Sequence, residues 1–270
     1  MIKLSEDKII KIFQTKLGNK KFISEDVETF TLGKTKIIAK IDTMVESTDI
    51  PKKMKLTDAA RKSVIACVSD FAAKGVKPEY GIISINLPKT ISRVKIDHIA
   101  NGFKRACKEY GISIIGGDTN SGKEIVFNVC IFGNSNNIVT RKGSNKGDLI
   151  FVTGPFGYTS IGLSILINNK KEKNNFIEKS IKSVINPKPK LNFGLKNKKY
   201  FSSSMDSSDG LSTTLNEMAK QSGKKFIVSN IPSNKDLENY VKKKNLNLNS
   251  IIFNGGEEYE FVFTIPIKYR

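Results

Sequence analysis

Short apolar runs and amphipathic stretches alternate along the first half of the chain, and this pattern predicts strands and helices in turn. Strand-like runs occupy Lys34–Ile41, Gly81–Leu87, Ile112–Ile115 and Ile125–Phe132. Apolar residues at helical spacing occupy Thr57–Ala73 and Ser92–Tyr110, with Thr57 as an N-cap and Gly75 and Gly111 after the two helix ends. We therefore expect an α/β arrangement in residues 1–140.

The alternation resumes after a turn-rich segment, Gly133–Gly147, which is the expected domain boundary. Strands are predicted at Leu149–Val152, just before Asp206, at Phe226–Val228 and at Phe261–Ile265, and helices at Tyr158–Ile167 and Leu211–Gln221, while Asn168–Lys182 is expected to be an exposed helix and loop. The predicted fold class is α/β of the α+β type. We expect an N-terminal mixed-sheet domain over residues 1–140 and a C-terminal α/β domain over residues 146–270.

Composition narrows the class of protein. Hydrophobic residues make up 39% of the 270 positions, which is enough for packed cores, and no apolar run reaches the roughly 18 residues of a membrane span. Met1–Phe13 carries acids among its apolar residues, which predicts an amphipathic helix and not a signal peptide. Cys67, Cys107 and Cys130 form no CxxC pair, so we expect reduced thiols in a cytoplasmic protein.

The charge is strongly basic, with 45 lysines and arginines against 26 acids and a net charge of +19. Nucleic-acid binding is one interpretation of such a balance. The lysines are spread along the whole chain, however, and no aromatic residues interleave with arginines as in a stacking platform. Nucleic-acid binding is therefore the weakest interpretation, and a basic surface would equally attract nucleotides and phosphate esters.

Against this basic background, carboxylates follow the predicted strands. Asp42, Asp118 and Asp206 each come after such a run, at the edge where open α/β sheets bind ligands. Glu25-Asp26 adds an acidic loop. Because His98 is the sole histidine, a hard cation such as Mg²⁺ suits the oxygen ligands better than zinc.

Asp70 is placed differently, at the edge of the apolar face of the Thr57–Ala73 helix, beside Ser63. We expect this carboxylate to be partly buried. A buried carboxylate needs a partner, which is either one of the many lysines or a metal ion.

The segment Asp206–Leu211 opens a predicted helix. Ser208 or Asp209 could simply be the N-cap of that helix. Two acids beside free backbone amides can also hold a magnesium–phosphate unit. The double glycines Gly116-Gly117 and Gly255-Gly256 could admit a ligand close to the backbone. Because the chain has neither a GxxxxGK[ST] loop nor a GxGxxG after a strand, any nucleotide must be bound by another architecture.

Eight segments occur in an order typical of one enzyme family: Ser24–Val27, Asp42–Glu46, Val68–Pro78, Ile115–Thr119, Arg141–Gly143 ahead of Gly147-Asp148, Val152–Gly154, Asp206–Leu211 and Gly255–Glu260. They are similar to motifs such as GDDA, DTLVE, DxSDGL and GGEDYEL of the thiamine-monophosphate kinases. That family lies in the superfamily of aminoimidazole ribonucleotide synthetase and selenophosphate synthetase. The resemblance covers about residues 22–265.

The resemblance implies ATP-dependent phosphorylation of thiamine monophosphate to thiamine diphosphate by direct in-line transfer. It implies several Mg²⁺ ions held by Asp26, Asp42, Asp70, Asp118, Asp206 and Asp209, nucleotide contacts from Gly117, Asp118, Arg141 and Ser208, and Asp49 and Glu257 on the thiamine side. It also implies the two-domain synthetase fold and a homodimer formed through the N-terminal domains.

Several positions depart from the family pattern. Lys40-Ile41 stand where the family usually has Ser-Thr, and a lysine there could neutralise part of the acidic cluster. Ser24 and Glu25 replace Gly and Asp, Asp49 replaces a substrate-associated histidine, and Glu258 replaces the Asp of GGEDYEL. The sequence also stops at Arg270, where family members generally continue with an aromatic segment near the thiamine moiety. A divergent relative with another small acceptor, or without catalysis, is therefore the second interpretation.

Overall fold

The computed structural model describes residues 4–19, 23–168, 172 and 174–270. The helices are α1 Glu6–Lys16, α2 Glu46–Asp49, α3 Leu56–Lys74, α4 Arg93–Tyr110, α5 Tyr158–Ile167, α6 Asn175–Ile185, α7 Leu191–Asn197, α8 Leu211–Ser222, α9 Lys235–Lys243 and α10 Leu248–Phe253. The strands are β1 Glu28–Leu32, β2 Thr35–Val45, β3 Tyr80–Pro88, β4 Ser113–Gly122, β5 Val126–Asn134, β6 Leu149–Val152, β7 Ser203–Asp206 and β8 Phe261–Ile265.

Among the described residues, the strands form two sheets, one in each half of the chain. The first has the order β1-β2-β5-β3-β4, in which only the β3–β4 pair is parallel. The second has the order β6-β8-β7 and is antiparallel. Short 3₁₀ turns at Lys198–Tyr200 and Ile267–Tyr269 complete the regular structure.

Helix α3 lies between the two halves and is buried over nearly its whole length. One hydrophobic core contains Val68 and Phe71 of α3 together with Val129 of the first sheet and Phe263 of the second. Helix α7 packs closely on α3, since a Cβ at Gly194 would lie 1.9 Å from the carbonyl oxygen of Ala72. The covering on both sides explains why Asp70 is buried and not at a half-exposed edge.

Helix ends follow the local sequence. Gly75 and Gly111 adopt the left-handed conformation after α3 and α4, as expected for helix-terminating glycines. The side chain of Ser92 caps α4 by accepting from the amide of Lys95. The prediction of Thr57 as an N-cap is wrong, because α3 begins at Leu56 and Lys55 stands at the cap.

Three strand predictions need correction. β2 continues through Asp42 to Val45, because its ladder with β5 persists to the Val45–Val126 pair. The predicted short buried strand Ile112–Ile115 is instead the start of the exposed edge strand β4, which runs on to Gly122 beside β3. The residues Phe226–Val228 form no strand but lie in an irregular segment.

Some predictions fall partly on residues outside the described ranges. The predicted amphipathic helix at Met1–Phe13 is observed as α1, with residues 1–3 outside the described part. The exposed helix predicted in Asn168–Lys182 is observed as the start of α6, whereas residues 169–171 and 173 are not described. In the part of the chain that is described, no helix is long and apolar enough to cross a membrane.

Candidate active site

The predicted acidic residues begin to converge where α3 packs against strand β2. Asp70 lies on α3 with its side chain 8% exposed, and the Lys40 Nζ lies 2.9 Å from its Oδ2. The same Nζ lies 4.0 Å from Asp42 Oδ2. Lys40 and Asp42 are two residues apart on β2, so they share the face of the strand that α3 covers.

The second half of the chain brings Asp206, the last residue of β7, to the same place. The Ser69 hydroxyl of α3 donates a hydrogen bond to Asp206 Oδ1. The Asp206 backbone amide donates to Asp26 Oδ2 at 3.0 Å. Asp26, Asp42, Asp70 and Asp206 are called the acid cluster below.

Asp26 is held by two cations. Lys74 Nζ lies 3.0 Å from Asp26 Oδ2, and Arg141 Nε donates to Asp26 Oδ1 at 2.8 Å. Lys74 is fully buried, and it also pairs with Glu25 and donates to the Ser204 carbonyl at 2.7 Å. The Arg141 amide donates to Glu25 Oε2 at 2.8 Å, so this loop is fixed by both side chains of the Glu25-Asp26 pair.

Burial and mutual repulsion decide the charges in the acid cluster. Burial, with the nearby charges of Asp206 and Asp26, raises the pKa of Asp70 well above its usual range. Burial also raises the pKa of Asp206 to about 7, although the hydrogen bond from Ser69 opposes that rise. Burial acts on Asp26 in the same direction, but the charges of Lys74 and Arg141 outweigh it and lower the pKa. Burial and mutual repulsion therefore favour the protonated forms of Asp70 and Asp206, and a further cation would stabilise their ionised forms.

Two more predicted acids lie close enough to Asp42 to affect it. Burial raises the pKa of Asp42, and the charges of Asp209 and Asp49 raise it further. Asp49 Oδ2 accepts from the Val45 amide at 2.7 Å at the end of β2. Asp209 is exposed in the loop before α8, whose cap position is taken by Gly210. The alternative that Ser208 or Asp209 caps this helix by its side chain is therefore wrong.

Asp118 does not join the acid cluster within one chain. It lies on the exposed edge strand β4, level with Ser84, Asn128 and Thr43 across the sheet. Asp42 belongs to the neighbouring row of residues and so points to the opposite face. The prediction that Asp42, Asp118 and Asp206 all stand at strand ends holds for Asp206 alone, because β2 and β4 both continue past their aspartates.

Gly117 lies in the same edge strand, and its lack of a side chain has a packing cause. A Cβ there would lie 1.9 Å from the carbonyl oxygen of Ile83 on β3. Similarly, a Cβ at Gly255 would lie 1.9 Å from the hydroxyl of Ser160 on α5. Close packing of the protein itself therefore accounts for both glycines, without a ligand.

The loop after Gly256 contacts the loop that carries Ser208. The Glu257 amide donates to the Ser208 carbonyl at 2.7 Å, and Lys62 Nζ lies 2.8 Å from Glu257 Oε2. Glu257 has a φ of 57° and Tyr259 one of 54°, which are uncommon values for residues other than glycine. Ser208 and Glu257 thus adjoin each other.

Comparison with known proteins places this arrangement in a family. Residues 24–134 match the family model described as "AIR synthase related protein, N-terminal domain". The chain is 66% identical, over 270 residues, to the thiamine-monophosphate kinase of Nitrosopumilus maritimus, covering 100% of this chain and 85% of that protein. This chain belongs to the thiamine-monophosphate kinase family. The kinase of Pyrococcus horikoshii is 31% identical over 268 residues, which cover 98% of this chain and 84% of the relative.

A solved structure agrees over the whole chain. The structure titled "AaThiL complexed with AMPPCP and TMP" has a TM-score of 0.93 and 28% sequence identity, and covers 100% of this chain and 89% of that chain. The predicted family and the predicted α/β fold class are confirmed. The boundary between residues 140 and 146 and the roles of the individual site residues stay predictions.

Three residues of this family member were missed by reasoning from the sequence. Lys74 follows Asp70 by four positions on α3, and this helical spacing could have placed its ammonium beside the acids. Lys62 lies two turns before Asp70 on the same helix and pairs with Glu257. Tyr259 is buried, and its pKa is raised well above its usual range by burial and then by Glu257 and the acid cluster, so it stays a neutral phenol.

The acid cluster fits a hard cation by its donor chemistry. Its carboxylate oxygens, with the Ser69 hydroxyl, are the ligand types that Mg²⁺ prefers. In the described ranges, no three His, Cys, Asp or Glu side chains are arranged to hold a metal ion as they stand. The lysines explain this, because Lys40 and Lys74 already bind carboxylate oxygens that a metal would need.

A cavity lies elsewhere in the second half. It has a volume of about 1010 Å³ and lies between strand β6 and the irregular segment that contains Phe226 and Pro232. Of the predicted site residues, all of which lie in the described ranges, none lines this cavity. The acid cluster remains the predicted active site, because phosphoryl transfer needs charge neutralisation more than enclosed volume.

Proposed function

We propose that this chain transfers the γ-phosphoryl group of ATP to thiamine monophosphate, giving thiamine diphosphate and ADP. The observation that carries this function is the full-length agreement with a structure whose title names AMPPCP, a methylene analogue of ATP, and TMP. The 66% identity to a thiamine-monophosphate kinase, over all 270 residues, supports the same activity.

The reaction needs little covalent help from the protein. An oxygen of the substrate phosphate attacks the γ-phosphorus, the new P–O bond forms in line, and the bond to the ADP oxygen breaks. A phosphate monoester is already ionised at neutral pH, so no general base has to remove a proton. The task of the residues is therefore to position two anions and to neutralise their charge.

The acid cluster would hold the metal part of this machinery. Asp70, Asp206 and Asp42, with Asp209 nearby, supply carboxylate oxygens on one side of α3, and Asp26 completes the set from its loop. Bound Mg²⁺ ions would neutralise the charge of the ATP phosphates. Binding of a divalent cation to these carboxylates would be favourable, because burial leaves their negative charge poorly solvated.

The two substrates would bind on either side of this cluster. Gly117, Asp118, Arg141 and Ser208 are the proposed nucleotide contacts, and Asp49 and Glu257 are the proposed contacts on the thiamine side. The contact between the Glu257 amide and the Ser208 carbonyl supports adjacent positions for the two substrates. Lys62 would orient Glu257 through its 2.8 Å ion pair.

A homodimer accounts for the position of Asp118. The side of the first sheet that α3 does not cover, here called the open face, carries the exposed apolar side chains Phe30, Leu32, Ile41, Tyr80 and Ile82. A patch of this kind marks an interaction surface. We propose that a second copy covers it, in which case Asp118, which lies on the same face, is at the interface between the copies.

The net charge of the chain suits anionic substrates, and its free cysteines suit a cytoplasmic location. The net charge of +19 would draw nucleotides and phosphate esters to the protein. Cys67, Cys107 and Cys130 are free, which agrees with the proposed cytoplasmic location.

The test is product analysis after the pure protein is incubated with ATP, MgCl₂ and thiamine monophosphate. We expect thiamine diphosphate to form with Mg²⁺ and not in a matched reaction with EDTA. Binding of Mg–ATP without product would contradict the proposed acceptor and favour a divergent relative. Tight, steeply salt-dependent binding to DNA or RNA, without turnover, would favour the nucleic-acid interpretation instead.

A further inference from the structure

Lys40 occupies a place between acidic side chains that is built for a cation. Its Nζ lies 2.9 Å from Asp70 Oδ2 and 4.0 Å from Asp42 Oδ2. Its side chain is 26% exposed, whereas that of Asp70 is 8% exposed. Lys36 lies four residues earlier on the same face of β2 and makes no ion pair with any residue in the described ranges. The ion pairs with Asp70 and Asp42 therefore depend on position 40, because a lysine elsewhere on the same face of β2 does not form them.

A divalent ion that bridged Asp70 and Asp42 would need the same carboxylate oxygens and the same space. An ammonium group donates to these oxygens but carries a single charge, and it repels a second cation placed beside it. An ammonium and a divalent ion therefore exclude each other between these two carboxylates.

Lys74 and Lys40 differ in whether a dissolved ion could take the place of the ammonium group. The Lys74 side chain is fully buried, and it binds Asp26, Glu25 and the Ser204 carbonyl together. An ion could replace it only if the packing between the two halves were opened. Lys40 lies at the solvent side of the acid cluster and has carboxylate partners only, so a dissolved ion can reach its place.

We propose that the Lys40 ammonium is a resident cation of the acid cluster, which fills the position between Asp70 and Asp42 that a divalent ion would otherwise occupy. The chain then binds one divalent ion fewer than it would with a neutral residue at position 40. This inference rests on the metal-binding role of the acid cluster in the proposed function.

The test counts bound Mn²⁺ without nucleotide, by the electron paramagnetic resonance signal of the free ion. Lys40→Met should bind one additional Mn²⁺ per chain compared with the unsubstituted protein. Lys36→Met, the matched control from the same face of β2, and Lys40→Arg, which keeps the charge, should both bind as the unsubstituted protein does. An equal number of ions in all four proteins would overturn the proposal.

Stability gives a second readout that does not depend on activity. Lys40→Met leaves Asp70 without its cation, so its melting temperature should rise more with added Mn²⁺ than that of the Lys36→Met control. Failure of Lys40→Met to fold even at millimolar Mn²⁺ would also overturn the proposal, because the ion should replace the ammonium. The double variant Lys40→Met/Asp70→Asn should lose the additional ion. Since neither ATP nor thiamine monophosphate is present, failure of the proposed kinase activity would leave these results unchanged.

Discussion

The two faces of the first sheet differ in whether their acidic side chains have cations or hydrogen-bond donors close by. The covered face packs on α3 and carries Lys40 and Asp42, and there each acid has a cation or a hydrogen-bond donor close by. The open face carries exposed apolar side chains such as Ile41, and beside them Asp118, which has no cation within ion-pairing distance among the described residues.

Adjacent positions of strand β2 place their side chains in two different environments. Along β2, Lys40 and Asp42 point into the acid cluster while Ile41 points outward, 65% exposed. In the proposed function, the same backbone therefore supports chemistry on one side and association on the other. The largest expected effects come from substitutions that test which face the reaction uses.

The largest effect is expected for the acid cluster itself. Asp70→Asn should lower the rate of thiamine diphosphate formation on the order of 10³-fold, because it removes a carboxylate proposed to hold the Mg²⁺ that neutralises the phosphates. Asp236→Asn is the matched control, since Asp236 forms an exposed ion pair with Lys179 on the surface and should leave the rate unchanged.

Asp118→Asn tests whether the open face takes part in the reaction. If a second copy brings the open face into the site, this variant should lose activity as Asp70→Asn does, with no change in the free energy of unfolding, because Asp118 is exposed. Full activity in Asp118→Asn would confine the reaction to the covered face. Steady-state rates and urea unfolding of both variants decide between these outcomes.

A charged side chain introduced on the open face tests whether this face is the dimer interface. Ile41→Glu should convert the proposed dimer to a monomer in sedimentation velocity, because a carboxylate would be buried without a partner at the interface. Ile167→Glu is the control, since Ile167 is equally exposed but lies at the end of α5. If both variants sediment as the unsubstituted protein does, the open face is not the dimer interface.

A smaller effect, on stability, is expected at Lys74 behind the covered face. Lys74→Met should lower the free energy of unfolding by about 3 kcal/mol, because it leaves the partly buried Glu25 and the buried Asp26 with Arg141 as their remaining cation. Urea unfolding measures the loss. The exposed Lys220→Met should have little effect, and equal stability of both variants would show that Lys74 is not needed to neutralise the buried acids.

The smallest effect concerns a buried acid outside the acid cluster. Burial raises the pKa of Glu258 from its ordinary value of 4.5 to about 7, although the amide of Gly157 donates to its Oε1 at 2.5 Å. The folded state then keeps a proton that the unfolded state loses, so stability falls as pH rises from 4.5 to about 7.

Glu258→Gln should remove this contribution. The amide oxygen of glutamine can still accept from Gly157, but the side chain does not ionise. Unfolding free energies measured between pH 5 and 8 should therefore fall less steeply in the variant than in the unsubstituted protein. An equal slope would show that Glu258 does not titrate in this range.

Much of the fold followed from periodicity, since α3, α4 and α5 were predicted to within one residue at each end. The strands were harder, because β2 and β4 extend through Asp42 and Asp118 by pairing with neighbours that are distant in sequence. Local pattern cannot show such pairing, and so it wrongly placed these acids at strand ends. The irregular course of Phe226–Val228 also shows that β propensity without a pairing strand is not enough.

The acids of the site were predicted from motifs, and the expectation that a lysine neutralises part of the cluster is confirmed by the ion pair between Lys40 and Asp70. The other lysine partners were not predicted. Asp26, Asp70 and Asp206 come together from three separate segments, as the family resemblance implied. The helical spacing of Lys74 after Asp70 could have indicated its position, whereas Lys62 is one of 45 lysines and arginines and only its contact with Glu257 singles it out. Tyr259 was missed for a similar reason, because its burial depends on the packing of the Glu257 loop.

We propose that phosphoryl transfer takes place at the acid cluster. The most direct measurement is a crystal structure of the protein with Mn²⁺, AMPPCP and thiamine monophosphate, with an anomalous difference map to locate the ions. We predict anomalous peaks bound by the carboxylates of Asp70 and Asp206, with the triphosphate beside them. Ions and triphosphate in the cavity next to β6, with no peak at either aspartate, would contradict the account.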